Sequence, residues 1–97
     1  MHFTIHCLDK AGAVEQRLAH YDAHKAYLSS APITMLVSGP LLAPDHETMI
    51  GSFFLVEADS QAQVEAFHNN DPFKKAAIWE KVSIHPFLKR VDNRAAT

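Results

Sequence analysis

The chain has 97 residues, 47% of them hydrophobic and 21% charged, with a formal net charge of −2, a balance that fits one globular domain. Its basic residues are scattered, which argues against the clustered Lys/Arg footprint of a nucleic-acid binder, and no apolar run approaches the roughly 20 residues of a membrane span. The single cysteine, Cys7, allows no internal disulfide and fits a reducing compartment; with no basic-then-apolar leader at the N-terminus, the expected location is cytoplasmic.

Residues 1–8 alternate, with Phe3, Ile5 and Cys7 to one side and His2, Thr4 and His6 to the other, and read as the first strand. Cys7 is read as a packing residue rather than a nucleophile, because a buried thiol behaves as a small hydrophobe. Asp9-Lys10-Ala11-Gly12 is a turn. A helix is expected from Ala13 to Ser30, rich in Ala, Leu, Glu, Gln and Lys and stopped by Pro32. At about 100° per residue, Val14, Leu18, Tyr21 and Leu28 form its apolar stripe, with Arg17 and His24 on the border.

Residues 33–38 read as a second strand, broken by Gly39-Pro40, and residues 41–48 as a loop. Residues 49–57 form a third strand. Its nearly continuous apolar run, Phe53-Phe54-Leu55-Val56, implies that both faces are covered. Ser60 and Gln63 have capping-box spacing and open a second helix carrying Val64, Phe67 and His68, ending near Asn69-Asn70. Asp71-Pro72 is a fresh helix start, Asp as cap and Pro at the first position. A short helix with Ala76, Ala77 and Trp79 is expected after it. Residues 82–89 are the last strand, where Pro86 requires an edge or a bulge. The tail from about residue 93 is expected to fray. No repeats or linkers interrupt the chain, so residues 1–97 read as a single domain.

The order is βαββαβ with a broken second helix, the α+β ferredoxin-like arrangement of four antiparallel strands with the helices on one face. The other sheet face is bare in a monomer and predicts a homodimer, two sheets stacked face to face.

Within this frame His24 is a candidate acid–base residue. An imidazole at the edge of an apolar stripe is partly desolvated and can be held by a partner. Arg17 could grip an anionic substrate group, or else form an ion pair with Glu15, Asp22 or a distant carboxylate. Asp71 reads first as a helix cap. One of its oxygens can take the backbone N–H while the other orients an imidazole. Ser38-Gly39-Pro40 is a place where backbone can approach a ligand, or a plain strand end; Ser38 has no base beside it in sequence.

The seven histidines are the one compositional excess. His20 and His24 lie four apart on the helix and could chelate a metal with a third ligand from His2, His6, His68 or Asp71, but no HExxH glutamate or paired cysteines accompany them. His20 and His68 are expected to be solvated, and His2 with His6 to form a polar part of the dimer contact. No metal is assigned. There is no Gly-rich phosphate loop, family-spaced Cys-His pair or GxSxG elbow.

Taken together, Arg17 and His24 in the first helix, Gly39-Pro40, Gly51-Ser52, Asp71-Pro72-Phe73 and Val82-Ser83-Ile84-His85-Pro86-Phe87 resemble, in that order, the YciI-like (YCII-related) proteins of the dimeric α+β barrel superfamily. The resemblance implies a ferredoxin-like protomer, a face-to-face dimer and a site around a His and an Asp. On this chain these are His24 and Asp71, with Arg17 and Ser38-Gly39-Pro40 lining the pocket. One branch is similar to a cofactor-free dehydrochlorinase acting on chlorinated hydroxyquinols, and the wider superfamily includes isomerases and monooxygenases. The compact segment from Leu41 to Met49 departs from relatives where such loops shape the pocket mouth.

The expected function is therefore a cofactor-independent enzyme, lyase- or isomerase-like, acting on a small anionic molecule, aromatic or unsaturated. His24 is general base and acid, Asp71 its orienting partner, and Arg17 the anion holder. Phe53, Phe54, Phe73 and Trp79 are candidates for apolar walls. The alternative is a non-catalytic ligand-binding or interaction module in which the His–Asp pair serves structure.

Overall fold

The computed structural model describes residues 1–94; the last part of the expected tail, residues 95–97, lies outside them. The elements are β1 (His2–Asp9), α1 (Val14–Ser29), β2 (Thr34–Leu42), β3 (Met49–Glu57), α2 (Gln61–Asn69), α3 (Pro72–Lys75) and β4 (Trp79–Phe87). The strands form one antiparallel sheet in the order β2-β3-β1-β4. This is the ferredoxin-like α+β fold of the dimeric α+β barrel type. No helix among the described residues is long and apolar enough to cross a membrane.

The register sorts the strand residues into two faces. Phe3 lies opposite Val56, Ile5 opposite Phe54, and Cys7 opposite Ser52, and all six are buried. Val64 and Phe67 of α2, Phe73 of α3 and Ile78 close over the apolar members of this face to form the core. At Gly51 of β3 a Cβ would lie 2.2 Å from the Cys7 carbonyl oxygen of β1, so no other residue fits without moving a strand.

Three elements depart from the sequence reading. The second strand runs through Gly39-Pro40 to Leu42 instead of breaking there. β2 is an edge strand, and an edge can host a residue without an N–H. The third helix stops at Lys75 and does not include Trp79, which opens β4. The stop is a Schellman-type turn: Ala77 donates to the Lys74 carbonyl at 3.0 Å and Ile78 to the Phe73 carbonyl at 3.2 Å. Ala77 takes the left-handed position, φ 57°, at a cost of roughly 1 kcal/mol for a residue with a Cβ.

The third departure concerns α1. Its bounds match the expectation to within a residue, but its core-facing side is reversed. Leu18 and Tyr21 are 62% and 51% exposed, whereas Arg17 and His24 are 4% and 7% exposed. The helix turns its two polar residues inward because each meets a buried partner. Of the apolar stripe, Leu18, Tyr21 and Leu28 line an open cavity, and Leu28 also packs against the core.

Candidate functional site

The cavity lies between α1 and the helix-side face of β2 and β3 and encloses about 450 Å³. Pro40 is opposite Ser52 and Ser38 opposite Phe54 in the register, so these small edge-strand residues share the face that α1 overhangs. All four line the cavity, together with Gly39. Small side chains on an edge strand leave the space under the helix unfilled.

His24 and Asp71 meet at the inner wall. His24 Nδ1 is 2.7 Å from Asp71 Oδ1, and both residues are buried. Asp71 is placed by its cap: the same Oδ1 accepts the Phe73 backbone N–H at 2.9 Å, and the Asp71 carbonyl accepts from Lys75. The division of labour expected between the two oxygens therefore fails. Oδ1 serves both cap and imidazole, and Oδ2 is buried without a partner among the described residues. The imidazole stacks on Phe73, centroids 3.9 Å apart and planes 4° from parallel, with Phe54 edge-on at 6.0 Å. With Nδ1 held by the carboxylate, Nε2 has no protein partner among the described residues, and His24 lines the cavity.

Arg17 is the second buried polar centre. Its Nε donates to Asp9 Oδ2, and Nη2 donates to Asp9 Oδ1 at 3.2 Å and to Ser52 Oγ. The guanidinium carbon lies 5.0 Å from the Phe73 ring centre. Of the alternatives for Arg17, the distant carboxylate is the one found. In the sequence Asp9 reads as part of a turn, and Ser52 enters only through the family resemblance. The available signal was weak: an acidic residue at a strand end, eight positions before an inward-facing arginine.

Of the four aromatic residues considered as walls, Phe54 and Phe73 line the cavity. Phe53 alternates to the other sheet face, and Trp79 belongs to the core. His68 is not solvated as expected but 6% exposed. It stacks on Trp79 at 5.1 Å because Val64, Phe67 and His68 together form the inward side of α2. Burial, helped by the Lys74 charge, holds its imidazole below the ordinary range against an opposing pull from Asp71. Cys7 is pushed up to about 12 by burial first, and then by the Asp71 charge, which suits a packing thiol. His20 is exposed while His24 points inward, so the pair four residues apart is split. Among the described residues no group of three His, Cys, Asp or Glu side chains is placed to hold a metal ion.

The model of the YCII-related domain matches residues 1–88. The chain belongs to the YCII-related family. It is 32% identical over 96 residues to Protein YciI of Escherichia coli O6:H1, covering 92% of this chain and 98% of that one. Among solved structures it is similar to 5-chloro-2-hydroxyhydroquinone dehydrochlorinase from Burkholderia phenoliruptrix AC1100, in complex with 2,5-dihydroxybenzoquinone. The identity is 34%, with 91% of this chain and 94% of that chain covered, at a TM-score of 0.81. An antibiotic biosynthesis monooxygenase shares 14% identity over 92% of this chain and 100% of its own, at a TM-score of 0.56, a likeness of fold alone. This YCII-related protein presents a ferredoxin-like sheet under two main helices, and the histidine of its buried His–Asp pair lines a cavity of ligand size.

Proposed function

We propose that this YCII-related protein is an acid–base enzyme, lyase- or isomerase-like, whose His24–Asp71 pair moves a proton in a small anionic aromatic or unsaturated molecule. The observation that carries this reading is the 2.7 Å contact between His24 Nδ1 and Asp71 Oδ1, which leaves Nε2 for the cavity. A carboxylate at Nδ1 favours the tautomer with a lone pair on Nε2 and stabilises the imidazolium once a proton has been taken. In an elimination, Nε2 accepts the substrate proton. The bonding electron pair forms the new double bond, and a leaving group such as chloride departs with its own pair. In an isomerisation the imidazolium returns the proton at a different atom. Neither route needs an oxidant, reductant or cofactor.

The similarity to the dehydrochlorinase supports the elimination route, and a flat ring suits a cavity with Phe54 and Phe73 in its lining. Arg17 keeps Nη1 for a substrate oxygen, and Ser38, Gly39 and Pro40 supply the opposite wall. General acid–base help of this kind amounts to about 10²–10⁴-fold. In a screen of chlorinated and unchlorinated hydroquinols, read by chloride release and quinone absorbance, the His24→Ala variant is expected to lose that factor. Equal turnover in both proteins would eliminate the role. The helix-capping bond from Phe73 to Asp71 favours the second reading, a non-catalytic binding module with a structural His–Asp pair, and equal turnover is also the result that would select it.

The same reading includes a homodimer through the sheet face away from the helices. By register that face carries Leu8, Val37, Leu41, Phe53 and Phe87 beside His2, His6, Lys81 and His85, a mixed surface whose apolar part would contribute about 25 cal/mol for each Å² removed from water. Light scattering at micromolar concentration is expected to give twice the chain mass. A monomer mass would remove this part of the proposal.

A further inference from the structure

Three charge-bearing side chains line the cavity: Arg17, His24 and Lys25. Their charges are not equally available to a ligand. Arg17 is bonded to both oxygens of Asp9, and the two side chains are each 5% exposed. A buried pair of opposite charges presents little net field to a third charge nearby. Arg17 can still donate a hydrogen bond from Nη1, but it does so as one half of a neutral unit. His24 faces a carboxylate, Asp71, one of whose oxygens is buried and unpartnered. The inner wall therefore repels an anion when the imidazole is neutral, which is the state a general base must have before it acts.

Lys25 differs from both. Among the described residues no carboxylate lies within ion-pair distance of it. It belongs to the stripe Leu18, Tyr21, Lys25, Leu28, spaced three, four and three residues apart, all four of which line the cavity. Residues at that spacing share one helix face. The cation is exposed at the rim of the face that overhangs the cavity, between Tyr21 and Leu28 along the helix, where it acts on whatever enters the mouth.

We propose that Lys25, and not Arg17, selects an anionic ligand, its ammonium holding a carboxylate or phenolate at the cavity mouth. This rests on the reading of the cavity as a ligand site, but not on that site being catalytic. It assigns Arg17 to geometry and Lys25 to charge.

The test is binding, measured by calorimetry with a charged and a neutral probe of the same shape, 2,5-dihydroxybenzoate and 2,5-dihydroxybenzamide. Wild type should favour the carboxylate, and added salt should erode that preference. Lys25→Gln should weaken carboxylate binding about two- to fivefold, the size of an exposed ion pair, and leave the amide nearly unchanged. Lys25→Arg should restore the preference. Equal effects on the two probes, no preference in wild type, or binding of neither would overturn the assignment. Because the readout is affinity, loss of the His24 role in the turnover assay would leave this result standing, and the reverse also holds.

Discussion

Replacing Asp9 with alanine is expected to cost about 3–5 kcal/mol of folding stability, the usual penalty for removing one member of a buried ion pair. The reason is what remains. Arg17 is 4% exposed and cannot reach bulk water without leaving its place beside Phe73 and Ser52. Its charge would stay buried with one hydroxyl as partner. A domain of this size is stable by about 5–15 kcal/mol in all, so the variant would sit near the threshold, with a melting temperature lower by roughly 10 °C or more. Urea unfolding followed by Trp79 fluorescence measures the change directly. The double variant Asp9→Ala/Arg17→Met tests the cause. A buried ion pair replaced by apolar groups of similar shape is often neutral, so the second change should recover much of the first loss, a coupling that independent sites do not show. A single-variant loss below about 1 kcal/mol would show that the pair is solvated in solution.

This pair also explains where sequence reading stopped. Met49–Glu57 was legible at both ends as a strand, because its apolar run is bounded by polar residues and turn residues lie nearby. Ser60 and Asp71 were legible as caps, because a cap is a local bond: Ser60 accepts from Gln63 and Asp71 from Phe73. The orientation of α1 was not. Ranking its faces by hydrophobicity put Leu18 and Tyr21 inward. The true inner face is set by Asp9, Ser52 and Asp71, which lie 8, 35 and 47 positions from the residues they bind. A helix that buries Arg and His against partners and turns leucine toward a cavity inverts the ordinary pattern, and such inversions are expected at functional or strained sites. The same limit applied to Gly39-Pro40. Read locally it is a break, but at a sheet edge it continues the strand and lines the cavity. His24 and Asp71 were each recognisable as candidates. Their contact was implied by the family resemblance, and it rests on the packing of α1 over α3, which no local pattern encodes.

The Asp71→Asn variant separates the structural part of that contact from the chemical part. Asparagine is as good a helix cap as aspartate, so the bond from the Phe73 N–H can be kept, and with it α3. The bond to His24 can be kept in one of two ways. If the amide oxygen faces Nδ1, the tautomer is preserved but the imidazolium loses its counter-charge. If the amide nitrogen takes the Oδ1 position, it donates to Nδ1 and drives the proton to Nε2, which can then no longer act as a base, but it also faces the Phe73 N–H and loses the cap. Both outcomes remove proton-accepting power at the atom facing the cavity. The expected result is a fall in kcat of about 10³–10⁴-fold, with stability close to wild type where the amide oxygen keeps both bonds and lower by about 1 kcal/mol where the cap is lost. Two-dimensional NMR of the imidazole nitrogens gives a readout that needs no substrate: wild-type His24 should show the Nδ1–H tautomer, and the variant a mixed or reversed one. Unchanged kcat together with a changed tautomer would leave Asp71 as a helix cap and give the base to another group.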